Sequence, residues 1–213
     1  MMARTKLWKP LLGCLTVLFL VSSILTAEAA VLQNNATYYI DTKHSMSAAF
    51  KAGTSASFRA DGSVSSGTLL NNATLYISEN RSMSAAFKAG TAISFTPSGS
   101  VSSGTLLNNA TLYISENRSM SAAFMAGTEI SFSPAGSVTE GTLLNNATLY
   151  ISTTRSMSTA FAAGTVASFR PEGSVLSGTL LNNSTLYTNT NHSQSSSFRA
   201  GTVVTFRPDG SVQ

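Results

Sequence analysis

The chain has 213 residues, 43% hydrophobic and only 10% charged, with a formal net charge of +4. Its one Cys, Cys14, and its one Trp, Trp8, lie in the first thirty positions, which excludes a disulfide scaffold, a thiolate metal site and a cysteine nucleophile from the rest. Arg4, Lys6 and Lys9 lie there too, and of the thirteen Lys and Arg ten remain after residue 29 against eight Asp and Glu, without the concentrated basic face that binding nucleic acid requires.

The N-terminal segment reads as an export signal over residues 1–29. The three cations open it, an apolar run from Leu11 to Leu25 follows, and Ala27-Glu28-Ala29 offers the small residues that a signal peptidase reads. Cleavage is expected before Ala30. The apolar run is shorter than the roughly twenty residues of a membrane span. The expected product is secreted or periplasmic, with no membrane span after cleavage.

From residue 30 onward the chain is one unit with a period of 37 residues, in copies 30–66, 67–103, 104–140, 141–177 and 178–213. Copies two and three share the run GTLLNNATLYISENRSMSAAF. The aromatics recur at three fixed positions, Tyr39/76/113/150/187, Phe50/87/124/161/198 and Phe58/95/132/169/206; among the aromatics of the copies only Tyr38 falls outside them. A period of this size signals a stacked array rather than a single globular core.

Within copy three the elements follow in order. Ala110–Ser115 is a strand whose Leu112 and Ile114 oppose Tyr113 and Ser115. The polar link Glu116-Asn117-Arg118 comes next, then a strand over Ser119–Phe124. Met125-Ala126-Gly127 is a turn with Gly in the left-handed position, followed by Thr128–Ser133, with Thr128, Ile130 and Phe132 on one face and Glu129, Ser131 and Ser133 on the other. Pro134-Ala135-Gly136 is a type I turn closed by a Gly bulge, which sets Phe132 opposite Val138. Ser137–Leu144 is the fourth strand, and Asn145-Asn146 reads as a two-residue type I′ hairpin because Asn tolerates positive φ. Gly, Ser, Thr and Asn interrupt every window before a helical stripe forms.

The fold class is therefore all-β: an elongated array of five hairpin repeats with four short strands each. The alternative is a five-bladed β-propeller, closed by pairing Ser211-Val212-Gln213 with Val31-Leu32-Gln33. The short period and short connections favour the open array. Copy five carries Thr188, Gln194, Ser196 and Ser197 where others are more apolar, as a capping repeat would.

The run from Phe95 through Gly99 and Val101 to Gly104 and Leu106 resembles bacterial hairpin repeats related to MORN repeats, which combine an aromatic, a Gly turn, a hydrophobic residue and a second Gly. The resemblance implies a rigid β platform for binding or spacing rather than a catalytic site.

The chemistry-bearing residues are few. His44 and His192 stand where other copies have Arg81, Arg118 and Arg155, which reads as a cation at a loop tip. The acid of the Pro-x-Gly turn is replaced by Ala135 in copy three, so no calcium loop repeats. No enzyme activity, cofactor or metal is expected. The candidate ligand-binding residues are Tyr39, Tyr76, Tyr113, Tyr150 and Tyr187, a rank of aromatics on a strand face shared with Thr and Ser, able to stack on sugar rings. The expected function is an exported, non-enzymatic structural or adhesive protein presenting a polar β surface; the alternative is a glycan-binding array using that Tyr rank. The partner is an unidentified protein or glycan, not nucleic acid, and exposed array ends leave room for self-association.

Overall fold

The computed structural model describes residues 28–213; the residues 1–27 of the expected export signal lie outside the described ones. The described residues form twenty short strands and no helix. Ten of them make one antiparallel sheet, in the order β1 (Glu28–Val31), β4 (Ser55–Phe58), β5 (Val64–Thr68), β8 (Ala92–Phe95), β9 (Val101–Thr105), β12 (Glu129–Phe132), β13 (Val138–Thr142), β16 (Val166–Phe169), β17 (Val175–Thr179) and β20 (Val203–Thr205). The other ten are five separate hairpins: β2 (Ala36–Tyr39) with β3 (Ser47–Phe50), β6 (Ala73–Tyr76) with β7 (Ser84–Phe87), β10 (Ala110–Tyr113) with β11 (Ser121–Phe124), β14 (Ala147–Tyr150) with β15 (Ser158–Phe161), and β18 (Ser184–Tyr187) with β19 (Ser195–Phe198).

Each copy therefore alternates between two layers. The chain leaves the sheet after β9, makes the β10–β11 hairpin, and returns as β12 beside the strand it left. The core lies between the layers. Along β10 and β11, Leu112 and Ala122 face inward as a cross-strand pair, and Phe124 is fully buried. Along β12, Ile130 and Phe132 are buried, while Glu129 is exposed and Ser131 half-buried. The expected alternation and the Phe132–Val138 pair are both present, with the ladder shifting register between Ser131 and Phe132. The array is open: β1 and β20 are the two edges of the sheet. Val212 bridges Phe206 and Val31 pairs with Ser55, so the pairing that would close a propeller is not made.

One expectation about the turns is corrected. The Asn pair does not close a hairpin. The residues with positive φ other than Gly are His44, Arg81, Arg118, Arg155 and His192, and no Asn is among them. The hairpin turn is the polar link, with Arg118 at φ 58° and its amide bonded to the Ser115 carbonyl. Asn145-Asn146 lies in the crossover from the sheet to the next hairpin. There the Asn146 Oδ1 accepts the Ala163 amide at 2.8 Å, tying two crossovers of one copy together. The same bond recurs at Asn35, Asn72, Asn109 and Asn183. Asn146→Ala should cost about 1 kcal/mol, whereas Asn145→Ala should stay within about 0.5 kcal/mol; urea midpoints of the two variants check the difference.

The strands are also shorter than expected, four or five residues instead of six to eight. The turns consume the difference. Ser115, expected on the wet face, is fully buried because its Oγ accepts the amides of Ser119 and Met120 inside the hairpin tip.

Besides the sheet ladder, neighbouring copies meet through side chains and turns. The ring of Phe124 packs edge-on against Phe169 of the next copy, with centroids 6.1 Å apart at 87°, and the other copies repeat this pair. The Glu116 amide donates to the Pro171 carbonyl of the next turn at 2.9 Å. Arg155 donates back to Ser119 Oγ of the preceding tip at 2.8 Å.

Under the hairpin rings of Phe50, Phe87, Phe124 and Phe161 sits a glycine of the sheet. A Cβ at Gly141 would lie 2.8 Å from Phe124 Cδ1, a distance that side-chain atoms do not tolerate. Copy one begins with Ala30 where the others have Gly67, Gly104, Gly141 and Gly178, and no ring among the described residues covers Ala30, which is exposed. The outlier Tyr38 has the same origin. Phe58 lacks the preceding Phe that its counterparts receive, and Tyr38 fills the space edge-on at 5.2 Å. At the other end no described copy covers β19, and Gln194, Ser196 and Ser197 are exposed where Met120 and Ala123 are half-buried and Ala122 is buried.

Candidate binding surfaces

The array presents two faces. The outer face of the ten-stranded sheet carries one cross-strand row: Ser57 pairs with Ser66, Ser66 with Ser94, Ser94 with Ser103, Ser103 with Ser131, and Ser131 with Glu140. It continues from Glu140 to Ser168, Ser177 and Thr205. Strands lie about 4.8 Å apart, so hydroxyls repeat at that spacing along the array. The row was legible only in part, because the repeated x-Ser-Phe and Ser-Gly-Thr runs give the residues but not their register.

The outer face of the hairpin layer carries the predicted tyrosines. Tyr39 is 50% exposed and Tyr76, Tyr113, Tyr150 and Tyr187 are 39–40% exposed. Each is paired across its hairpin with an exposed Ser, as Tyr113 is with Ser121. The five do not converge on one pocket; they form a rank. Each copy adds two strands to the sheet, which sets successive tyrosines about 9.5 Å apart along the array.

The hairpin tips border this rank with cations. Arg81 donates to Ser45 Oγ at 2.9 Å, Arg118 to Ser82 Oγ at 2.7 Å, and Arg155 to Ser119, so each tip grips the one before it. In the terminal copies His replaces Arg and lies flat against the tyrosine instead. The Tyr39 and His44 rings stack at 4.9 Å, and those of Tyr187 and His192 at 4.7 Å. His44 Nε2 is 3.9 Å from Asp61, and His192 Nε2 is 4.0 Å from Asp209. Sequence spacing gave the Arg-to-His exchange but not this stacking, which depends on the left-handed backbone at both histidines. Among the described residues no group of three His, Cys, Asp or Glu is arranged to hold a metal ion.

A groove of about 510 Å³ opens between the tips of copies one and two, lined by Asp41, Lys43, Glu79, Arg81 and Pro97 among others. Asp41 is buried at its base, where copies two to four have Ser78, Ser115 and Ser152 and copy five has Asn189. Its carboxylate accepts the Ser45 hydroxyl at 2.6 Å and the amides of Ser45 and Met46 at 2.9 and 2.8 Å, with Arg81 at 3.4 Å. Burial pushes its pKa up, but these hydrogen bonds and the Arg81 charge outweigh burial and hold it below the ordinary carboxylate range. A carboxylate with a depressed folded pKa contributes stability above its unfolded value of about 3.9 and loses it as pH falls through the folded value. Asp41→Ser should therefore flatten the loss of stability below about pH 4, leaving the part that Asp61 and Asp209, also lowered, contribute. Urea midpoints measured across that acid range check this.

No known protein family, curated protein or solved structure matches this chain. The residues behind the MORN-like resemblance form the β8–β9 hairpin, with Gly99 at φ 84° in its turn.

Proposed function

We propose that the chain is an exported, non-enzymatic structural or adhesive repeat protein that presents a polar β surface for interaction. The observation that carries this reading is the cross-strand row from Ser57 to Thr205, which runs nearly the width of the sheet and carries hydroxyls at every position but Glu140. Like groups repeated on a rigid spacing suit many weak contacts with an extended partner, because each contact after the first is intramolecular. Export rests on the cations, apolar run and Ala27-Glu28-Ala29 of the N-terminal segment.

The test is retention of beads coated with residues 28–213 on immobilised polysaccharide, protein and mineral surfaces under flow. Excision of residues 104–140 joins Ser103 to Gly141 in register and removes one whole copy. Retention on at least one surface, falling more than in proportion to the copies lost, is the expected result. No retention on any surface, or none lost on excision, would sink the reading. A second reading, glycan binding by the Tyr rank, is favoured by the exposure of all five rings.

A further inference from the structure

We infer that the hairpin face is a binding site for an extended acidic polysaccharide, with the tyrosines stacking on its sugar rings and two cation rows neutralising its carboxylates. The inference rests on the adhesive reading above and deepens its glycan-binding form, because it assigns the ligand class to the face that carries the tyrosines and not to the Ser row.

Three observations combine. The first is the rank itself: exposed phenol rings at a constant pitch of about 9.5 Å, close to the length of two pyranose units in an extended chain. A ring face of Tyr covers the apolar C–H face of a sugar while its hydroxyl stays in water.

The second is the separation of charge between the layers. On the hairpin layer, Arg81, Arg118 and Arg155 line the tip margin, and Lys51, Lys88 and Arg199 stand at the crossover margin of copies one, two and five, where copies three and four have Met125 and Ala162. Lys51, Lys88 and Arg199 are exposed, as are Arg81 and Arg118. The acids of this layer are Glu79 and Glu116 at the tips and the buried Asp41, which Arg81 already faces. The sheet layer has the opposite balance, with Glu129 and Glu140 exposed on its outer face and Asp61, Glu172 and Asp209 in its turns against Arg59, Arg170 and Arg207. A weakly charged chain thus becomes two-sided, with an excess of cations on the face that carries the tyrosines. Such a face draws in a polyanion.

The third is rigidity. The tip arginines are fixed to the preceding Ser hydroxyls through one nitrogen, which leaves further N–H donors of each guanidinium for a carboxylate. Ordering them in the complex then costs little.

The probe is polygalacturonate, with hydroxyethyl cellulose as the neutral polymer and an oligothymidylate as the competing polyanion, each measured by interferometry on residues 28–213. Polygalacturonate should bind with an affinity that falls as salt rises, and hydroxyethyl cellulose should bind about tenfold or more weakly. Tyr113→Ala/Tyr150→Ala should weaken polygalacturonate binding about tenfold, while Tyr113→Phe/Tyr150→Phe keeps most of it because the ring face remains. Lys51→Gln/Lys88→Gln/Arg199→Gln should weaken binding and flatten the salt dependence. Glu129→Gln/Glu140→Gln, on the opposite face, should leave it unchanged. Every substituted side chain is on the surface, and circular dichroism confirms that each variant is folded. Equal binding of the oligothymidylate, or polygalacturonate binding that survives the Tyr→Ala pair, overturns the inference. If beads adhere but polygalacturonate does not bind, this inference falls and the adhesive reading stands. If neither occurs, both fall.

Discussion

Phe124→Ala is expected to destabilise the protein by about 3–5 kcal/mol, whereas Phe198→Ala, the same substitution at the same repeat position, should cost about half as much or less. Phe124 is fully buried, lies over Gly141, and meets Phe169 edge-on at 6.1 Å. Removing it leaves a cavity bounded by backbone on one side, because the glycine beneath has no side chain to move in. The edge-to-face pair adds about 1 kcal/mol that is lost with the ring. Phe198 is only half-buried, and no described copy supplies it with a Phe beyond or a Gly beneath. Urea unfolding of both variants measures the contrast. Equal losses would mean that the stacking between copies contributes nothing and that each copy is stabilised within itself. Because a repeat array can unfold in parts, the comparison is best made on the midpoint of the β-sheet signal for the whole chain.

The second large effect concerns a turn. Gly136→Val should destabilise by more than the 1–3 kcal/mol typical of a strained backbone residue, and Gly62→Val should stay within that range. Both glycines are in the left-handed region, at φ 90° and 83°, where a β-branched residue is strongly disfavoured. They differ in what lies above them. A Cβ at Gly62 meets nothing within 4 Å, but at Gly136 it would stand 2.4 Å from Met83 Cε and 2.8 Å from Ser78 Cβ in the preceding copy. The Met83 terminus can swing away, whereas the Ser78 Cβ is held by the hairpin tip. Gly136→Val therefore strains its own turn and also parts copy three from copy two. Thermal midpoints that fall equally for the two variants would show that backbone strain alone acts. Gly136→Ala separates the terms further, since it keeps the clash with a smaller side chain.

The repeat, the absence of helix and the strand alternation were legible in the sequence because they depend on neighbours in the chain. Gly136 follows Pro134 in a turn whose chemistry is local, and Ile130 and Phe132 alternate with Glu129 and Ser131 on a pleat of period two. The exposure of Tyr113 follows from the same alternation, since Leu112 and Ile114 must face the core. The Asn pair shows where local reasoning stops. Asn tolerates positive φ, so a hairpin at Asn145-Asn146 was chemically sound, yet the partner that decides its role is the Ala163 amide, seventeen residues away. The left-handed residue lies instead in the hairpin tip, at Arg118, a type that rarely adopts it.

The sequence by itself determined the units: their number, length, strand content and the residue types on each strand face. The tertiary structure alone decided how the units are joined. It splits each copy between a continuous sheet and a row of hairpins, and it sets the single register that aligns Ser57 through Thr205. It also explains the departures from the repeat, since Tyr38 stands where a Phe of a preceding copy would lie and Ala30 where no ring presses. The physical reason is that pattern along a chain reports which face of a strand is buried. Which atoms fill the space opposite depends on residues tens of positions away, brought close only when the layers stack.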